Sequence, residues 1–550
     1  MKILLRMDGR TDAEDSIAPL FAQRAVTEPR VSDESAKPPE TRKVSLRRIP
    51  APEIALALLV LLWSAVFIRL PQLRHDRYGT FGFDLGIYDQ GVWLLSRFKD
   101  PFVTVRGLEL FGHHANILLV LLAPFYRLGA GPIFLLVVQV AAQASGAVAI
   151  FLLARDLLKS KWAGVGMGAT LLLNPTYQWL TWEFFHPDAV SIGPLLFAYW
   201  AARTKRWRIF AVAAVLALLC KEDVALSMVV LGLMIAFRGD RRRGVIVAAI
   251  SAAWFVFATR VLIPWQNGIG PFYDTFFGDL GKTPTQVVYS AARHPTKTWE
   301  LASATDRRTW YWRMWAPWAL LPLLDPAVLV IALPMIFVGV VTDFPYTRDY
   351  RFHYSALVVA GSAVATVEAI AWIARRAKGR FAPTRNVLVT VVLLVAFLST
   401  QAWGASPLAR DYRHGMWPLQ HDPRVAVKAD AIRQVPPRAA ASVTYSVTPH
   451  MTHRERVYEF PAPWCDVNWG VHGEHLDDPG KVEYLVIDRA SNLSDRDKAL
   501  LDDLLSSEFR TVSSRDGMVV AKRTKPTVYP TDKNPPQGAC YPRPSLAAYQ

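Results

Sequence analysis

Two aspartates in the stretch Phe83-Asp84-Leu85-Gly86-Ile87-Tyr88-Asp89-Gln90 are the first side chains in this sequence suited to catalysis. A carboxylate in a loop at a membrane face can take the proton of an acceptor hydroxyl, acting as general base. Asp84 has a second reading, because an aspartate before Leu-Gly-Ile is a good helix N-cap and capping requires no substrate. Asp89 lies about 140° further round a helix, so the two carboxylates cannot share one face. If one is the base, the other orients it or serves solubility.

Histidines and paired charges follow. Adjacent His113 and His114 point different ways on a helix, so they do not form a paired metal site alone, although a single one suits donation to a phosphate. In Glu183-Phe184-Phe185-His186-Pro187-Asp188, Pro187 fits a first helical position and Asp188 complements the helix dipole. Glu183 and His186 are left without a local structural reason. Lys221-Glu222-Asp223 is bracketed by apolar sequence. Ionisable groups at membrane depth cost about 2.5–3.5 kcal/mol each and usually mark function, the alternative being a self-neutralising hairpin tip. Arg348, Arg351 and His353 lie where a loop re-enters an apolar run. Guanidinium forks match phosphate oxygens, and interfacial snorkelling is the structural alternative. Asp84, His186 and Arg351 are expected to converge on one outward-facing cavity.

The elements that must position these groups are membrane helices. The chain has 550 residues, 52% of them hydrophobic and 20% charged. A single soluble core stops growing near about 250–300 residues. The clearest apolar runs are 131–154 and 162–182, joined by 54–68, 189–202, 244–263, 327–341, 353–374 and 386–403. The net charge of +16 resides in short clusters between these runs, including Arg203/Lys205/Arg206/Arg208 and Arg238/Arg241/Arg242/Arg243. Such placement is a membrane signature and disfavours nucleic-acid binding. With 117–128 not crossing and 209–237 forming a hairpin, every basic cluster falls inside. That arrangement gives about eleven crossings, with a cytoplasmic N-terminus and an outer C-terminus.

Residues 1–50 read as a polar, disordered cytoplasmic tail without the apolar stretch of a cleavable signal peptide. Residues 51–403 form the transmembrane domain, with a large first outer loop at 71–116. Residues 404–550 read as a small α/β extracytoplasmic domain, with strands at 441–445, 456–460, 482–488 and 517–521 and helices at 423–434 and 493–506. Cys465 and Cys540 in this domain either pair or stay as buried thiols. No Gly-x-x-x-x-Gly-Lys-Ser/Thr, His-Glu-x-x-His or Gly-x-Ser-x-Gly motif occurs, so no ATPase, zinc protease or serine hydrolase is indicated.

Taken as a set, the Asp84 stretch, His113-His114, Phe185-His186-Pro187-Asp188, Lys221-Glu222-Asp223, Leu321-Pro322-Leu323-Leu324-Asp325-Pro326, His353-Tyr354 and Pro449-His450-Met451-Thr452-His453-Arg454 are distinctive. Over roughly residues 55–490 the chain resembles an uncharacterised family of bacterial predicted multi-pass membrane proteins. That family resembles the GT-C glycosyltransferases, which use polyprenyl-phosphate sugars at the outer membrane face. The resemblance implies an all-α polytopic, GT-C-like membrane domain followed by a small α/β domain. It places Asp84, with Asp89 as alternative, as the catalytic acidic residue. The residue types themselves set His186, Lys221, Arg348, Arg351 and His353 at the donor phosphate, with His113, His114, Glu183 and Asp223 as further candidates. The implied partners are a polyprenyl-phosphate-linked sugar, a glycan or lipid acceptor and the bilayer. A divalent metal serves some relatives of that fold, but no ligand spacing here demands one. The family usually has a single histidine followed by an apolar residue where this chain has His113-His114. The rival reading is a transporter or lipid flippase, favoured by Lys221–Asp223 and opposed by the lack of internal repeats.

Overall fold

The computed structural model describes residues 50–182, 184–268, 276–278, 280–410, 423–465, 475–529 and 540. Glu183, one of the expected site residues, lies outside them. Among the described residues, five helices are long and apolar enough to cross a membrane: Ala51–Asp76, Pro132–Leu158, Arg241–Asn267, His353–Arg376 and Phe381–Trp403. Helix His353–Arg376 has 89% of its most apolar window buried and forms the centre of the bundle, whereas Phe381–Trp403 has 17% and turns most of its surface outward.

Several of the runs expected to cross form shorter helices. The run 162–182 splits into Lys161–Leu172 and Pro175–Trp182. Proline lacks the N–H that would continue the ladder, and Asn174 restarts it by accepting from the Tyr177 backbone at 3.1 Å. The run 327–341 becomes three short helical pieces, Pro326–Leu329, Val330–Ala332 and Leu333–Val341. The stretch 117–128 forms only Leu118–Arg127, packed on helix Ile87–Ser96 of the first loop.

The 209–237 region does form a hairpin. Trp207–Cys220 and Val224–Phe237 have 14 residues each, about 21 Å of helix. Lys221 sits beside Asp188 at one end of helix Pro187–Arg203, and Arg238 reaches the Tyr199 hydroxyl at 3.2 Å near its other end. The chain therefore runs out and back along that helix. The returning arm touches Arg241–Phe257 backbone to backbone. A Cβ on Gly244 would lie 2.2 Å from the Ala236 nitrogen, so only a small residue permits this approach.

The C-terminal domain holds five strands: β3 (Ala441–Val443), β4 (Val457–Glu459), β5 (Tyr484–Asp488), β6 (Phe509–Arg515) and β7 (Met518–Arg523), after a small hairpin in the first loop, β1 (Phe102–Val103) and β2 (Leu108–Glu109). The sheet order is β4-β3-β5-β7-β6, with β3 parallel to both neighbours and the rest antiparallel. Strand β6 was not among the expected strands, because only Phe509 in it is buried and its polar edge carries no apolar alternation. The sheet separates two cores. Val443, Val486 and Val520 pack with Leu85, Tyr88 and Val105 of the first loop. Leu485, Ile487 and Ala521 pack on the opposite face with Leu501 and Leu504 of helix Asp495–Ser507. Cys465 and Cys540 are joined as a disulfide, which settles the open pairing.

Candidate active site

Asp84 sits on a sharp turn ahead of helix Ile87–Ser96, with φ +65° and ψ −90°. An N-cap residue is normally extended, so this backbone is not that of a cap. The values lie near a γ-turn of positive φ, a conformation that costs about 1–3 kcal/mol and persists only where the surroundings enforce it. The C-terminal domain supplies that enforcement. The Gly82 N–H donates to the Tyr445 carbonyl at 3.1 Å, and a Cβ on Gly82 would lie 2.5 Å from a Glu459 carboxyl oxygen.

Facing Asp84 is His186, whose Nε2 lies 3.6 Å from Asp84 Oδ2. Helix Pro132–Leu158 positions this histidine through one side chain. Gln139 accepts from the His186 backbone at 2.7 Å and donates to the carbonyls of Leu180 and Phe184, so the break after Trp182 is held open. The His186 ring stacks on His353 at 3.9 Å. The Nδ1 atoms of both rings are buried without a hydrogen-bond partner among the described residues. Buried polar atoms are nearly always bonded, so this pair points to a polar ligand able to hydrogen-bond with them. Burial pushes His186 down to about 4, with Lys221 and His114 adding to the shift against Asp188, so the imidazole is neutral at neutral pH. It therefore acts as a hydrogen-bonding group and not as a cation.

The Lys221-Glu222-Asp223 tip closes the same region. Lys221 Nζ lies 2.9 Å from Asp188 Oδ1 and 3.3 Å from Asp223 Oδ2. His114 Nδ1 donates to Glu222 Oε1 at 2.7 Å, and the Ala115 backbone donates to Oε2 at 3.0 Å. The His113 ring is 4.2 Å from that of His114, and burial, then His114 and Arg106, hold His113 well below the usual histidine range. One lysine thus faces two carboxylates. Burial raises the Asp223 carboxyl, and Asp188 and Glu222 add to the rise against the pull of Lys221.

Three expected site residues stand elsewhere. Asp89, the alternative base, is fully buried. Tyr126 donates to its Oδ1 at 2.6 Å, the Thr452 hydroxyl donates to Oδ2, and His453 Nε2 is 3.2 Å away. It fastens the first loop to the C-terminal domain. Arg348 is held by Asp306 and by the carbonyls of Thr342 and Phe344. Arg351 turns outward, pairs with Asp349 at 2.7 Å and lies over Trp179 at 5.9 Å, so the expected convergence with Asp84 and His186 is met by His353 instead. Among the described residues no group of three or more His, Cys, Asp or Glu is arranged to hold a metal ion.

The sequence pattern of the DUF2079 predicted membrane proteins matches residues 74–520. The chain belongs to this family. Two solved structures are also similar to this DUF2079 protein, both of ArnT from Cupriavidus metallidurans. The form bound to undecaprenyl phosphate is 13% identical with a TM-score of 0.48, and the apo form is 12% identical with a TM-score of 0.44. Each covers 86% of this chain and 98% of its own. No curated protein matches the chain.

Glu459, on β4, is not among the expected site residues, yet it supports the Asp84 turn. Its carboxyl accepts from the Phe83 backbone, and burial pushes it up to about 7 against that hydrogen bond. The neutral acid is therefore favoured in the folded protein. Its contribution to stability is complete below about pH 4.5 and is lost as pH rises through about 7. Glu459→Gln, which cannot ionise, is expected to match wild type near pH 5 and to exceed it at pH 8 by on the order of 2–3 kcal/mol. Thermal unfolding of both proteins across this range checks it, and a gap that stays constant with pH contradicts the assignment.

Proposed function

We propose that the chain is an integral membrane glycosyltransferase moving a sugar from a polyprenyl-phosphate donor to a glycan or lipid hydroxyl of the cell envelope. The observation that carries this reading is the meeting of Asp84, on a strained and partly exposed turn, with a neutral His186 stacked on His353. Asp84 takes the acceptor proton as the hydroxyl oxygen attacks the anomeric carbon. The bond from that carbon to the phosphate oxygen breaks, its electron pair stays on the lipid phosphate, and the configuration inverts. His186 donates to the developing phosphate charge, a preorganised hydrogen bond in a water-poor site. The lipid-phosphate bond supplies the driving force, so no nucleotide enters these steps.

In this reading the protein lies in the plasma membrane with its N-terminus in the cytoplasm and its C-terminal domain outside. The Cys465–Cys540 disulfide supports that placement, since disulfides persist in oxidising compartments. Arg203 and Arg238 support it too, lying at the end of helix Pro187–Arg203 remote from Asp188.

The test is release or transfer of sugar from a panel of radiolabelled polyprenyl-phosphate sugars by the purified protein, with lipid phosphate as co-product. Turnover with one donor is expected. No turnover across the panel, together with lipid movement across proteoliposomes, would instead establish the flippase reading.

A further inference from the structure

We propose that a cleft at one end of helix Phe381–Trp403 binds the headgroup of an anionic phospholipid, independently of the glycosyltransferase reading. The cleft has a volume of about 670 Å³ and lies between helix Thr305–Trp315 and the last turn of Phe381–Trp403. It shares no lining residue with the Asp84–His186 site. Thr305, Arg308, Thr309, Trp312 and Arg313 follow one another at i, i+3, i+4, i+7 and i+8, so a single stripe of their helix faces the cleft. Two guanidiniums therefore line it, and no acidic residue does. Asp306 belongs to another face of the helix, where it pairs with Arg307 and Arg348. Arg308 donates to the Thr305 hydroxyl at 3.3 Å, and the Arg313 guanidinium lies over the rings of Trp403 at 4.3 Å and Tyr350 at 5.5 Å. Neither arginine has a carboxylate partner among the described residues. By contrast, in the cleft between the first loop and the C-terminal domain Lys99, Arg456 and Lys481 are matched by Glu455 and Asp477.

A guanidinium stacked on an aromatic face keeps its N–H edge in plane, the geometry that meets two phosphate oxygens. The depth of the cleft says which phosphate. Helix Phe381–Trp403 has 23 residues, about 35 Å of helix against a hydrocarbon core of about 30 Å. Its end at Trp403 therefore lies at headgroup level, and Trp312 and Trp403 suit that boundary. The same helix provides a track for the acyl chains. Val387, Val391, Leu394 and Leu398 are exposed and continue at helical spacing to Ala402 in the cleft, one apolar stripe of about 22 Å. A free phosphate would use the two arginines alone, whereas an anionic lipid uses the arginines, the tryptophans and this stripe together.

The experiment compares binding of phosphatidylglycerol and phosphatidylcholine to the full-length protein in a neutral detergent, read by native mass spectrometry. Wild type is expected to hold one phosphatidylglycerol about tenfold more tightly than phosphatidylcholine, the strength of a charge-assisted contact. The double variant Arg308→Gln/Arg313→Gln should lower that preference to less than about twofold. Arg241→Gln/Arg242→Gln removes the same charge from an exposed cluster elsewhere and should keep the preference. If the Arg308/Arg313 variant does not fold, Arg308→Gln decides, because Arg308 is exposed and bonded only to Thr305. A drop of about fivefold is expected there, the worth of one arginine beside an anionic headgroup. Preference kept in a folded Arg308 variant, or lost equally in Arg241→Gln/Arg242→Gln, overturns the proposal. A wild type that does not distinguish the two lipids does the same. Displacement of phosphatidylglycerol by millimolar inorganic phosphate would make the cleft a site for the free ion and overturn the lipid assignment.

Discussion

Asp84→Asn is expected to lower sugar transfer by about a hundred- to ten-thousandfold, the range for loss of a general base. Thermal stability and donor binding should change little. Asparagine has the shape of aspartate and tolerates positive φ better than most residues, so the turn at φ +65° can be kept. Gly82, Tyr445 and Glu459 continue to enforce that turn from outside it. The loss should therefore fall on kcat, with the donor KM nearly constant, because a proton acceptor acts in the transition state and not in ground-state binding. Radiolabelled transfer at saturating donor measures it. Turnover surviving at more than about a tenth of wild type would remove Asp84 as the base.

The second large effect is on stability. Lys221→Met leaves Asp188 and Asp223 facing one another in the protein interior, where the lysine now lies within 3.3 Å of both. Removing one partner of a buried ion cluster costs about 3–5 kcal/mol, because the charges left behind stay desolvated. A fall in melting temperature and in yield is expected, checked by thermal unfolding in detergent. Adding Asp188→Asn and Asp223→Asn to the same protein should recover much of the loss, since the uncompensated acids are then gone. A single variant as stable as wild type would show that Lys221 does not hold these acids. No recovery in the triple variant would mean that Lys221 serves mainly as packing.

Much of the architecture was legible in the sequence, because transfer of apolar side chains out of water is a local property of each run. The long runs at 131–154 and 353–374 became helices Pro132–Leu158 and His353–Arg376. Four expected strands and both expected helices of the C-terminal domain appear within a few residues of their limits. The Asp516-Gly517 pair between β6 and β7 takes positive φ at both residues, a local hairpin signal that could have revealed β6 where hydrophobic alternation did not. Pro175 likewise marked the break in the run 162–182.

Residue type and spacing alone identified Asp84, His186, His353 and the Lys221 tip as candidates, since polar groups among apolar runs are expensive unless used. Only the tertiary structure decided their company. His186 meets His353, Asp89 is taken by Thr452 and His453, and Arg106 is folded in against Phe83. Those contacts join segments far apart in the chain, and no local preference encodes which buried polar group will meet which. The conformation of Asp84 has the same origin. Its own sequence favours a cap, and the γ-turn exists because a domain more than 300 residues later presses on Gly82 and binds its backbone.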